Sequence, residues 1–211
     1  MANLYVFHQG IGGDEIYLWC SVFDGTNWVP DTPVLRGALD LSSPPSAVAW
    51  ASGGVSVLHQ GRNRQGGGPD GQLWYTYSPD GTNWEGDTHV LPSVGMSGSP
   101  SAVVVENGNL YVFHQGSNED GQLWYTYFDG TNWASDTQVP NLGMSGSPSA
   151  VVWAGGISVF HQGFGDDQQL WYTYTPDGTN WGPDTQVRSV GISGSPSCVV
   201  FSPEPGILIR D

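Results

Sequence analysis

Four histidines recur in one setting. His8, His59, His114 and His161 each precede a glutamine (Gln9, Gln60, Gln115 and Gln162) and a glycine, at the end of short apolar runs that read "LYVFHQG", "VSVLHQG", "LYVFHQG" and "ISVFHQG". A tryptophan follows each set: Trp19, Trp74, Trp124 and Trp171. Imidazole and carboxamide exchange hydrogen bonds and an indole offers a flat apolar face, so these three side chains suit a ligand with C–H faces and many hydroxyls. Catalysis suits them less. Nearly equal copies of His and Gln stand without a repeated Ser or Cys beside them, and a nucleophilic mechanism needs one such constellation. The repeated acids Asp24, Asp80, Asp129 and Asp177 stand before Gly in "DGTNW" turns, where an aspartate is expected to hydrogen-bond its own loop. Trp28, Trp84, Trp133 and Trp181 close those turns and are expected to be structural.

The elements that position these residues follow from the spacing. The histidines lie 51, 55 and 47 residues apart, and most of the variation falls in the acidic loop after "HQG". A period near fifty marks an array of one supersecondary unit. Within it "SAVVW", "ISVFHQ" and "LWYTY" are short β-branched and aromatic runs, separated by "GG", "NG" and "PDG" turns, which predicts antiparallel strands and no helix. The expected fold is all-β: one β-propeller domain over residues 1–211, with four blades of about fifty residues and four strands each. The chain starts at a second strand, and "SGSPSCVVF" at 193 to 201 reads as a first strand. That segment is expected to close the first blade and to put Cys198 in the same blade as Cys20, about 9 to 10 Å away, too far for a disulfide. "PEPGILIRD" is then left to pack outside the ring, unless the chain is part of a larger or intermolecular propeller.

Composition removes several function classes. With 20 acidic and 5 basic side chains the formal net charge is −15, and a field of that sign repels nucleic acid and anionic membranes. All the basic residues are arginine, which leaves no lysine for a Schiff base or a phosphate-binding loop. Ten tryptophans among 31 glycines and 15 prolines describe a folded, turn-rich chain. No apolar stretch reaches membrane-spanning length and no secretory signal is visible, so no membrane insertion and a cytoplasmic location, with release by another route, are expected. The acidic loops "GGDE", "SNED" and "FGDD" lack the alternating carboxylates of a calcium loop, and no metal or other cofactor is expected.

"SGSPSAVVW", "ISVFHQG", "LWYTYFDG" and "NW", in this order in the repeats, resemble the repeat of the bacterial and fungal β-propeller lectins, fucose-binding propellers among them. "SPDGTNW" at 78 to 84 is similar to the aspartate box of sialidases, one residue shorter between Asp and Trp. The resemblance implies a non-enzymatic, multivalent carbohydrate-binding protein, monomeric or a small homo-oligomer, that takes glycans or glycoproteins at its His/Gln/Trp sets between blades. Sialidase activity is not implied, because Arg36, Arg62, Arg64, Arg188 and Arg210 are scattered outside the repeat. The alternatives are an interaction scaffold, in which the His and Gln side chains only pin blade to blade, and a glycoside hydrolase. Of the four sets, those at His114 and His161 are expected to be the best formed.

Overall fold

The computed structural model describes residues 3–12, 15–37, 39–63, 67–165 and 167–201. Among them every regular element is a strand apart from two short 3-10 turns, and no helix is long and apolar enough to cross a membrane. The first unit holds β1 (Leu4–Gly12), β2 (Glu15–Phe23) and β3 (Trp28–Pro33). The second holds β4 (Ser46–Ala49), β5 (Val55–Arg62), β6 (Pro69–Ser78) and β7 (Thr88–His89). The third begins with β8 (Met96–Val104), β9 (Leu110–Gly116) and β10 (Gln122–Phe128). The long β11 (Thr137–Trp153) is its outer strand and then the inner strand of the fourth unit, which continues with β12 (Gly156–Gly163), β13 (Gln169–Thr175) and β14 (Thr185–Gly191). All pairing is antiparallel, and sharing β11 merges the third and fourth units into one seven-stranded sheet.

Turn chemistry sets the strand ends. Asp80 Oδ1 accepts the Thr82 and Asn83 N–H groups at 2.8 and 2.7 Å, and Asp177 Oδ1 does the same for Thr179 and Asn180 at 2.9 and 2.8 Å. These bonds, the Asn83 and Asn180 contacts foremost, hold both carboxyls well below the usual carboxylate range. Asp24 and Asp129 make the same pair of backbone contacts. The "DGTNW" aspartates therefore do what their position predicts.

Apolar packing lies between units. One core joins Leu18, Val34 and Leu41 to Val57, a second joins Leu58 and Leu73 to Val94 and Val112, and a third joins Phe113 and Tyr125 to Ile157 and Val159. Each interface carries an indole from the later unit. Trp84 meets Phe7 edge-on at 5.5 Å, Trp133 lies 5.5 Å from Tyr75, and Trp181 lies 5.7 Å from Phe113 and 5.5 Å from Tyr125.

The expected closure does not form. Among the described residues the first unit has three strands in the order β1-β2-β3, and residues 193–201 are not paired with β1. The Cys198 N–H donates to Ser149 Oγ at 3.1 Å instead. That bond repeats the ones from Ala102 to Ser46 at 3.0 Å and from Ala150 to Ser101 at 2.9 Å, which step from one inner strand to the next. The segment thus occupies the inner-strand place after the fourth unit, so Cys198 lies against that unit and not in the blade of Cys20. Both cysteines are free thiols, and burial with the nearby Asp31 charge pushes Cys20 up to about 11. "PEPGILIRD" at 203 to 211 falls outside the described residues.

Candidate functional site: the clefts beside the histidine sets

Strand register explains why each histidine has its tryptophan. His8 stands opposite Trp19, His59 opposite Trp74, His114 opposite Trp124 and His161 opposite Trp171 across the second and third strands of each unit. Residues opposite in a sheet share a face. The glycine of "HQG" makes room for the indole: a Cβ on Gly116 would stand 2.6 Å from Trp124 Nε1, and one on Gly163 would stand 2.8 Å from Trp171 Nε1. Three of the four indoles are then fixed by an aspartate four residues earlier. The Nε1–H groups of Trp74, Trp124 and Trp171 donate to Asp70, Asp120 and Asp167 at 2.9, 2.9 and 3.0 Å. Trp19 Nε1 is buried with no partner among the described residues.

The imidazoles are enclosed behind these rings. His59, His114 and His161 are fully buried. Their Nδ1–H groups donate to the carbonyls of Gln60, Gln115 and Gln162 at 3.2, 3.0 and 3.0 Å. Their Nε2 atoms meet Asp87, Asp136 and Asp184 at 3.2, 3.1 and 3.0 Å. His8 repeats the pattern with Gln9 and Asp31 at 3.0 and 3.2 Å, in a half-exposed setting. Both nitrogens of each ring are thus engaged, and the imidazole orients a carboxylate that reaches the surface.

The amides face the other way. Gln60 Nε2 donates to the Met96 carbonyl at 2.8 Å, while its Oε1 accepts from Ser42 at 2.9 Å, and Gln9 Nε2 donates to Leu41 at 3.4 Å. Met96 begins the inner strand of the following unit, so Gln60 is a polar pin between units. Gln115 is buried and Gln162 partly buried. The aspartates of "DT" and of the loop are the site residues that motif reading overlooked. Their signal is present: Asp31, Asp87, Asp136 and Asp184 each precede Thr, 22 to 28 residues after a histidine.

Between the first and second units these groups border an open cleft of about 580 Å³, with Asp40, Arg62, Asp70, Trp74 and Asp87 on its walls. Here Trp74 is also covered on one side by His89, ring centre to ring centre 3.6 Å. The opposite end of the molecule has a different cleft of about 410 Å³, between the second and third units. Trp50, Tyr75, Tyr77, Phe128 and Trp133 line it beside Glu85, and Trp133 Nε1 is buried there with no partner among the described residues. Among the described residues no group of three or more His, Cys, Asp and Glu side chains is arranged to hold a metal ion.

A propeller-like array of antiparallel units with clefts between them defines the class of protein. No family model matches the chain, and no curated protein sequence does. Solved structures do. A mutant of the Aleuria aurantia lectin in complex with Fucα1-6GlcNAc matches at TM-score 0.58 and 18% identity over 87% of this chain and 57% of that one. A mutant of AofleA from Arthrobotrys oligospora matches at TM-score 0.64 and 14% identity, covering 92% and 60%. The α-L-arabinofuranosidase PaAbf62A from Podospora anserina, in complex with cellotriose, matches at TM-score 0.60 and 13% identity, covering 92% and 68%. The chain spans a little over half the length of the Aleuria aurantia lectin. At these identities the likeness shows the fold, and the fold houses both binding proteins and glycosidases.

Proposed function

We propose that the chain is a carbohydrate-binding protein, a lectin of propeller type, whose repeated His/Gln/Trp sets take glycans or glycoproteins. The observation that carries this reading is the repeated set of a tryptophan locked by a loop aspartate and a second aspartate held by a buried histidine, as in Trp74, Asp70, His59 and Asp87. An immobilised indole face stacks on a sugar's C–H face, and ordered carboxylates accept its hydroxyls. In this reading Trp74, Trp124 and Trp171 touch the sugar with the aspartates, while the histidines and glutamines position them. Trp19 lacks the locked arrangement and is the weakest of the four. Several shallow sites on one array raise avidity by about 10²–10⁴ when they engage one glycan surface together.

Non-enzymatic binding is favoured because His59, His114 and His161 have both ring nitrogens engaged and, among the described residues, no hydroxyl or thiol is hydrogen-bonded to any of the three. A general base needs a free acceptor within reach of its proton. One observation favours a second location for the sugar: the aromatic cleft at the opposite end, with the unpartnered Trp133 N–H. A broad glycan array probed with the purified protein tests the function. Binding that a free monosaccharide competes away is expected, and Trp74→Ala, Trp124→Ala and Trp171→Ala should each lower it. Silence across the array would support a scaffold role, and turnover of chromogenic glycosides would support a hydrolase.

A further inference from the structure

One cleft joins an aromatic wall to a carboxylate that has no protein partner among the described residues. It lies between the second and third units, at the end away from the histidine sets, with a volume of about 410 Å³. Tyr75 and Tyr77 stand two apart on β6 and so share a face. Phe128 ends β10, and Trp133 returns to it across the "DGTNW" turn through an isolated bridge. Trp50 follows directly on β4. The rings form one continuous wall: centre to centre, Tyr75 lies 5.5 Å from Trp133, Trp133 5.3 Å from Phe128, and Phe128 6.4 Å from Trp50.

Glu85 lines the same cleft and is exposed. Its N–H donates to the Tyr77 carbonyl at 2.8 Å and its carbonyl accepts the Thr76 hydroxyl at 2.7 Å, so its backbone is fixed beside the wall. The carboxylate makes no hydrogen bond or ion pair among the described residues. Both indole donors are withdrawn from the space. Trp50 Nε1–H donates to Ser56 Oγ at 2.9 Å, and Trp133 Nε1 is buried although its ring is partly exposed. The tyrosine hydroxyls accept as readily as they donate. Ring surface and one free negative charge are what the cleft offers.

Local sequence confines this combination to one interface. Glu85 follows its turn tryptophan in "NWEG", where the other units have Val29, Ala134 and Gly182. The counterpart of Trp50 in the third unit is Val105. Ser56, the small residue that leaves the space open, is replaced there by Tyr111, whose ring stacks on Tyr125 at 6.3 Å and on Tyr127 at 5.2 Å. The matching place between the third and fourth units is thereby filled, and it lacks both the indole and the carboxylate.

We infer that the cleft between the second and third units binds an organic cation, a methylated ammonium group of the choline type. Such a group is drawn to the negative faces of aromatic rings within about 6 Å of their centres. It has no N–H to donate, so it needs no close acceptor, and a carboxylate beside the wall balances its charge. The formal net charge of −15 favours its approach. A neutral sugar in the same cleft would use the rings but draw no benefit from that charge.

Calorimetric titration of the intact chain with choline, and with its uncharged carbon isostere carrying a tert-butyl group in place of trimethylammonium, tests the site. Choline is expected to bind about tenfold tighter than the isostere, and more weakly as salt is raised. Glu85→Gln, an exposed and conservative change, should lose most of that preference. Ser56→Tyr, which introduces the residue of the third unit, should abolish choline binding. The monosaccharide that competes on the glycan array should not displace choline, and because choline binding is measured without any sugar, failure of the lectin reading and failure of this one are separate results. The inference is overturned if tens of millimolar choline give no binding, if choline and the isostere bind equally, if Glu85→Gln keeps the full preference, or if that monosaccharide displaces choline.

Discussion

Residues 4–10 and 110–116 are the same seven letters, "LYVFHQG", in two different places. In β9 all seven residues are buried, with Leu110 at 1% and Val112 at 0% exposure, whereas in β1 Leu4 is 55% and Val6 39% exposed. The local chemistry is identical, down to the histidine that meets an aspartate at 3.2 Å in the first unit and 3.1 Å in the third. What differs is the neighbourhood. β9 lies between β8 and β10 with a unit packed on each side, while among the described residues β1 is paired on one edge only. Burial of the motif is conferred by the array, since a unit's two faces find their partners on its neighbours.

The widest gap between the two copies should appear at the aromatic position. Phe113→Ala removes a fully buried ring that supports Trp181 and should cost about 3–5 kcal/mol in urea unfolding. Phe7→Ala, on a part-exposed strand, should cost less than about 2 kcal/mol. Equal losses would break the comparison. The histidines should separate by a smaller amount: His114→Ala leaves a mostly buried Asp136 without its partner and should cost about 1–3 kcal/mol. His8→Ala, half-exposed, should stay within about 0.5 kcal/mol. Thermal unfolding of the two variants side by side decides this. The mildest effect belongs to the turns. Asp80 and Asp177 have depressed carboxyl pKa values in the folded state. Their contribution is therefore complete above the ordinary carboxylate range near about 4 and is lost as pH falls through the lower folded values. The melting temperature should drop on acidification from pH 5 to pH 2, and the drop should be smaller in Asp80→Asn. An identical acid profile for the variant would count against the turn assignment.

Local rules made much of this architecture readable in advance. Periodicity gave the strands and the repeat, and the "DGTNW" aspartates bond their own turns as Asx chemistry requires. The histidine–tryptophan pairing was legible too, because a fixed spacing around one turn puts them opposite in register. The carboxylate partners were not. Asp87 and Asp136 come to the histidines from beyond the following strand, through loops of unequal length, so their signal is the recurring "DT" and not a fixed spacing from the histidine. Glutamine roles were hidden for a similar reason: Gln60 bonds the Met96 carbonyl of another unit. Closure was misjudged because 193–201 carries the inner-strand sequence, which specifies the kind of place it takes but not beside which unit. That choice depends on the curvature accumulated over the whole array.

The claim that the tryptophans opposite the histidines bear the ligand is tested most directly by their indole N–H resonances. Indole ¹⁵N NMR of the intact chain, assigned by single Trp→Phe variants and titrated with the sugar that competes on the array, reads each ring separately. The account predicts shifts at Trp74, Trp124 and Trp171, with Trp84 and Trp181 unmoved. Shifts confined to Trp84, Trp133 and Trp181, or no shift at a saturating concentration of that sugar, would contradict it.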